Sequence, residues 1–198
     1  MSTKEFAGKL VKEIVATKSY SLWKDSTFRR LIGFSQISNK QQDKIFNELQ
    51  VTALLHILFF LEEKSGGDKE QAVYANIAEY IESAFLDLMS DVRVSDAHLK
   101  LWKGLIAKRK TEYRQDMKFV EKESAEWEVF SGEDRLLRGT WVRVITLSVG
   151  AAKLVGGSRE TLVDDPLWKE IRRWLISIEV ELVNIFRDTD FRELKVLN

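Results

Sequence analysis

The chain contains a single proline, Pro166, and long stretches without any turn residue. A β-rich fold needs a turn after almost every strand, and glycine and proline are the residues that most often make turns. Their scarcity therefore favours an all-α fold. The strongest helix terminators in the sequence are the pairs Gly66-Gly67 and Gly156-Gly157. We predict a bundle of six to seven helices.

Capping signals and apolar periodicity divide the chain into seven helical segments. Ser38 and Gln41 have the spacing of a capping box, and Asp165 precedes a first-turn proline, where it can cap a helix. The predicted helices cover about residues 3–17, 22–32, 38–64, 68–88, 95–130, 133–156 and 165–187. The stretch 141–149 is rich in β-branched residues, and we predict a helix there because a lone strand would have no partner.

The segment 38–64 holds the densest apolar run of the chain, from Ala53 to Leu61. A helix that is apolar on all sides is surrounded by protein, so this helix is predicted to lie buried at the centre of the bundle. His56 stands inside the run. It is either a neutral imidazole bonded to a neighbour or a ligand to a haem or metal in a dry helical pocket. We favour the first interpretation because no second ligand is recognisable.

The long predicted helix 95–130 carries an apolar stripe with a seven-residue repeat. Its members are Leu99, Ile106, Tyr113, Val120 and Trp127. Such a repeat belongs to a long helix that presents one narrow stripe to a partner. The companion positions in the middle hold Arg109, Asp116 and Glu123. We therefore predict a helix that lies along the bundle by one edge, with its charged middle in water and open to a second subunit.

This helix would be long for the size of the protein. About 36 residues at about 1.5 Å each extend on the order of 54 Å, whereas a compact chain of this length has a radius of gyration of about 16 Å. The helix therefore either breaks, with Gly104 as the favoured position, or projects from the bundle over residues 105–130. We predict one all-α domain over 1–198 and a homodimer formed through the stripe.

Composition excludes several function classes. The 31 basic and 31 acidic side chains give a net charge of zero, which supplies no general attraction to nucleic acid. The absence of cysteine excludes disulfides, thiolate catalysis and cysteine-based metal sites. Neither a phosphate-binding loop nor a G-x-S-x-G motif occurs. We therefore predict no catalytic residue and no metal ligand.

The sequence carries no clear membrane or export signal. Residues 1–12 lack the apolar run of a secretory signal. No stretch of about 18 apolar residues is apparent, and 141–155, taken as the nearest approach, is interrupted by two cations. A membrane-surface role is not expected either, because Glu170 and Glu179 interrupt the basic residues of the last helix. A cytoplasmic location is the resulting expectation.

These observations favour a non-enzymatic function. We expect a helical scaffold or protein-interaction protein that associates with itself or with another protein, and we expect no bound cofactor. The alternative is a helical-bundle enzyme or sensor that holds a cofactor or metal in an apolar pocket near His56.

Overall fold

The computed structural model describes residues 1–65, 69–124, 135–156 and 164–189, together with Leu194. These residues contain eight α-helices and no strand, so the predicted all-α class is confirmed. The helices are α1 (Thr3–Leu10), α2 (Thr17–Lys24), α3 (Ser26–Leu31), α4 (Asn39–Lys64), α5 (Lys69–Asp91), α6 (Asp96–Ser124), α7 (Arg135–Gly156) and α8 (Pro166–Arg187).

A π-helical turn, Val11–Ala16, joins α1 and α2 into one rod, which reduces the count to seven. The predicted end of the first helix at residue 17 and the predicted start of the second at residue 22 are therefore wrong. The polar stretch 18–21 contains neither glycine nor proline, and the chain remains helical through it to Lys24. The break comes at Asp25, whose carboxylate accepts the Phe28 N–H at 2.8 Å and caps α3.

Helix α4 lies at the centre of the bundle, as predicted, and packs against α5, α6, α7, α8 and the first rod. Ser38 and Gln41 form the predicted capping box. Every side chain from Ala53 to Leu61 is buried. By length and composition α4 could also cross a membrane, because it contains an 18-residue stretch with a mean hydropathy of 1.4. In this structure 83% of that stretch is buried inside the fold. Among the described residues, the nearest approach to a membrane span is therefore α4, not residues 141–155.

Helix α6 is continuous through Gly104, so the break favoured there does not occur. Gly104 is exposed, and a β-carbon built on it would meet no atom within 4 Å. The helix packs on α7, α5 and α4, and its described part ends at Ser124. The predicted end at residue 130 lies outside the described residues.

The core is continuous, because one cluster of buried apolar side chains includes residues from all eight helices. The stretch 141–149 belongs to α7 and is helical, as predicted. Helices α6 and α7 approach closely where the buried ring of Tyr113 lies against Gly150, and a β-carbon on Gly150 would overlap that ring. This contact fixes how the two helices cross.

Candidate functional site

Helix α4 is not apolar on all sides, contrary to the prediction. Glu48, Thr52 and His56 follow one another at four-residue spacing and are 2%, 0% and 0% exposed. Glu63 lies seven residues further on and shares the same face of the helix. Each of these four residues bonds to a side chain on another helix, and the bonds fall into two clusters.

The first cluster joins α4, α7 and α8. His56 Nε2 lies 2.8 Å from Glu179 Oε2. Arg143 Nη2 donates to Glu179 Oε1 at 2.7 Å, and Arg143 Nη1 donates to Glu63. The hydroxyl of Thr140 also bonds to Glu179, at 3.3 Å. We call these five residues the His56 cluster.

Burial and hydrogen bonding decide the charges in the His56 cluster. Burial alone would raise the pKa of Glu179, but the hydrogen bond from His56 and the charge of Arg143 outweigh it and lower that pKa to about 2. Burial lowers the pKa of His56, against the opposing effect of Glu179. The lowered pKa makes His56 a neutral imidazole, and because the ionised carboxylate can only accept, His56 donates through Nε2–H. Its Nδ1 is buried without a hydrogen-bond partner in the described part of the chain.

An imidazole backed by a carboxylate is the arrangement that general bases and metal ligands use. Here His56 is 0% exposed, so no substrate can reach its ring in this conformation. Among the described residues, no three histidine, aspartate or glutamate side chains are grouped so that they could hold a metal ion. What the geometry does provide is a polar link that holds three helices in one register.

The second cluster joins α4 and α6. Arg109 Nε and Nη2 donate to the two carboxylate oxygens of Glu48 at 2.9 and 2.5 Å, and Nη1 donates to Glu112 at 2.5 Å. One turn along each helix, the hydroxyls of Thr52 and Tyr113 lie 3.3 Å apart. Arg109 is only 7% exposed, so the prediction that it lies in water is wrong. We call these five residues the Arg109 cluster.

The predicted interaction stripe on α6 is divided between the interior and the surface. Ile106 and Tyr113 are 1% and 2% exposed and pack inside the chain itself. Leu99 and Val120 are half-buried, and Trp127 lies outside the described residues. The middle of the stripe is therefore not accessible to a second subunit in this conformation, and the homodimer stays a prediction.

Helix α8 has a second, outward-facing row of apolar residues. Ile176, Val180 and Val183 are 40%, 54% and 47% exposed and lie on one face at spacings of four and three residues. Cationic side chains stand on the same face at both ends of the row: Lys169 and Arg173 before it, and Arg187 after it. We call these six residues the α8 outer face.

No acidic residue falls on the α8 outer face. Glu179, which was expected to interrupt the basic residues of this helix, is 8% exposed and points into the His56 cluster. Glu170 lies off this face and pairs with Arg173 at 2.6 Å. The sequence argument against a membrane-surface role, that Glu170 and Glu179 interrupt the basic residues of this helix, therefore does not apply to this face.

Sequence reasoning missed most members of the two clusters. A signal was present for Glu179, because it falls among Leu175, Ile178 and Leu182 on the apolar face of α8. An acid on such a face needs a buried partner. The identity of the partner was not readable, because His56 and Glu179 are 123 residues apart.

No protein-family model, curated protein or solved structure matches this chain.

Proposed function

We propose that this protein is a non-enzymatic interaction protein, and that the α8 outer face docks an amphipathic helix of a partner protein. The single observation that carries the proposal is the exposed row of Ile176, Val180 and Val183 between cations at both ends. Single exposed aliphatic residues are ordinary on a protein surface. Three on one helix face provide the apolar anchors that helix recognition uses.

The charges on this face indicate the chemistry of the partner. Lys169, Arg173 and Arg187 have side chains that are 48%, 74% and 67% exposed. Each of them pairs with a nearby acid, and because the cationic partner is exposed in every pair, these pairs are weak and readily exchanged. A complementary helix would have an apolar row in its middle and acidic residues near its two ends.

The rest of the fold supports α8 as a rigid platform. The His56 cluster ties the middle of α8 to α4 and α7. Trp168 Nε1 donates to Ser148 Oγ on α7 at 2.9 Å, and Trp174 Nε1 donates to the Lys18 carbonyl oxygen on α2 at 3.0 Å. A face that is already ordered loses little conformational entropy when a partner binds.

The same charges argue against pairing of two α8 outer faces. In either direction, two such faces would bring cations of one copy close to cations of the other, because both ends of the face are basic. Like charges in close contact oppose association. The occupant is therefore a different protein with acidic ends, and a homodimer would have to use another surface, such as the exposed part of α6.

Binding of two synthetic helical peptides to the full chain tests this function. Both peptides have a leucine row in the middle, one with glutamates at its ends and one with lysines. We expect fluorescence anisotropy to detect saturable binding of the acidic peptide alone, and Val180→Asp to weaken it by at least about tenfold. Val92→Asp is the matched control, because Val92 follows the end of α5 and is an apolar residue that is 62% exposed.

Three outcomes would contradict the proposal. Equal binding of both peptides would show that charge does not select the partner. Unchanged binding by Val180→Asp would show that the peptide does not bind at the α8 outer face. Binding to phosphatidylserine vesicles that depends on Val180, with no peptide binding, would identify a membrane surface as the occupant instead.

A further inference from the structure

A cleft of about 750 Å³ opens between α4, α6 and α7, away from the α8 outer face. This volume lies within the range of small-molecule sites. Its wall includes Phe59 from α4, Met117 and Lys118 from α6, and Val142 and Arg143 from α7. Phe59 and Val142 are 4% and 8% exposed, so the cleft has an apolar floor that is otherwise well packed.

Two acidic side chains of the cleft have cationic partners, and a third acid, Glu121, also lines it. Glu63 accepts from Arg143 in the His56 cluster, and Glu62 accepts from Arg114 Nη2 at 2.6 Å. Lys118 is different, because no carboxylate of the described residues lies within 4.0 Å of its ammonium group. The cleft therefore offers one cation that is free to pair with a ligand.

One residue of the cleft wall, Arg143, has a buried donor without an acceptor. Arg143 is 2% exposed, and its Nε–H is buried without a hydrogen-bond partner among the described residues. A buried donor without an acceptor is costly and uncommon. The positive charge of Arg143 lies beside the cleft, but its buried Nε–H is not itself accessible to a ligand there.

Beside Arg143, the cleft wall contains Gly139, which packs closely against the side chain of Glu63. A β-carbon built on Gly139 would lie 2.6 Å from Glu63 Oε1. The Glu63 carboxylate therefore rests directly on the α7 backbone, where it holds Arg143 instead of facing the cleft as a free charge. This packing reduces the repulsion that a bound anion would meet.

We propose that this cleft binds a small amphipathic monoanion, with a single carboxylate paired to Lys118 and a hydrocarbon body packed on Phe59, Met117 and Val142. One free cation suits one negative charge, and the neighbouring acids disfavour a phosphate or another multiply charged ligand. The apolar floor requires a ligand with an apolar body, because a short carboxylate would leave that floor in water.

Calorimetric titration of the full chain tests the site with decanoate as the probe. We expect one saturable site with a dissociation constant below about 1 mM. Decyltrimethylammonium, which has the same chain and the opposite charge, is expected not to bind, and acetate is expected not to bind either. Lys118→Ala should weaken decanoate binding by about tenfold or more.

Two variants make the result specific. Lys122→Ala removes an exposed lysine one turn further along α6 that does not line the cleft, and it should leave decanoate binding unchanged. Val180→Asp should also leave it unchanged, which separates this cleft from the α8 outer face. Absence of saturable decanoate binding, equal binding of the cationic analogue, or unchanged binding by Lys118→Ala would each overturn the proposal.

Discussion

At the scale of single residues, His56 is held neutral because the effect of burial outweighs that of the neighbouring carboxylate. Burial lowers its pKa, while the carboxylate of Glu179 acts to raise it. The carboxylate is already shared with Arg143, which leaves it less able to stabilise a second cation. His56 therefore remains a donor to Glu179 and adds no charge to the buried cluster.

The lowered pKa of His56 predicts that the protein loses stability as pH falls below about 6.5, the ordinary histidine value. In that range the unfolded chain binds a proton that the native chain does not, so the free energy of unfolding decreases by at most about 1.4 kcal/mol per pH unit. Urea unfolding at pH 7, 6 and 5 should therefore give a flatter profile for His56→Gln than for the wild type.

His98→Gln is the matched control for this experiment, because it removes the other histidine, which is exposed on α6. The His98 variant should keep the steeper profile of the wild type. If both variants have the same pH dependence between 6.5 and 5, burial does not keep His56 neutral.

Two glycines in helices should respond oppositely to alanine. Gly150→Ala places a methyl group against the buried ring of Tyr113 and should lower the free energy of unfolding by about 1–3 kcal/mol. Gly104→Ala adds a methyl group in open space and should raise it by up to about 1 kcal/mol through better helix propensity. Urea unfolding of both variants measures this difference, and a stabilised Gly150→Ala would contradict the close approach of α6 and α7.

At the scale of elements, α6 is fixed to α4 by a buried ion pair, so removal of one partner should be costly. Arg109→Met leaves the carboxylate of Glu48 buried without its cation, and we expect a loss of about 3–5 kcal/mol. The double variant Arg109→Met/Glu48→Leu should recover most of that loss, because an apolar pair of similar size can replace a buried ion pair.

The control for this pair is Arg114→Met on the same helix. Arg114 pairs with Glu62 at the surface, where the side chains are 47% and 37% exposed, so we expect a change below about 1 kcal/mol. Chemical unfolding measures all three variants. Equal effects of the Arg109 and Arg114 substitutions would show that the buried pair does not stabilise the α4–α6 contact.

The helices were the most predictable feature of this structure. Local signals placed α4 and α8 correctly, because a capping box and an Asp-Pro start mark where they begin. The first rod was divided wrongly because a π-helical turn has no sequence marker of its own, and the polar residues 18–21 resembled a break. Local composition therefore predicts where helices begin better than where they continue.

The polar clusters were less predictable than the helices. Glu48, Thr52 and His56 were visible as polar positions in an apolar segment, but their partners lie 61, 61 and 123 residues away. A periodic pattern reports only which face is buried, not which faces meet. The outer face of α8 could not be predicted for the same reason, because the sequence alone does not show that Glu179 turns inward to His56.

At the scale of the whole molecule, the two clusters attach other helices to different parts of α4. The Arg109 cluster fixes α6 near the first half of α4, and the His56 cluster fixes α7 and α8 near the second half. Apolar contacts alone would tolerate a shift of one helix along another, whereas a buried ion pair is satisfied in one register. The platform that carries the α8 outer face therefore depends on α4 for its position.

This arrangement predicts that the described helices unfold together. The buried core is one cluster that includes residues from α1 to α8, and α4 touches most of the other helices. Within the described ranges, no group of helices has a separate core on which it could remain folded. Urea unfolding followed by far-ultraviolet circular dichroism and by tryptophan fluorescence should give superimposable transitions. Because Trp23, Trp102 and Trp174 report from α2, α6 and α8, a separate transition in fluorescence would show that one part of the bundle folds independently of α4.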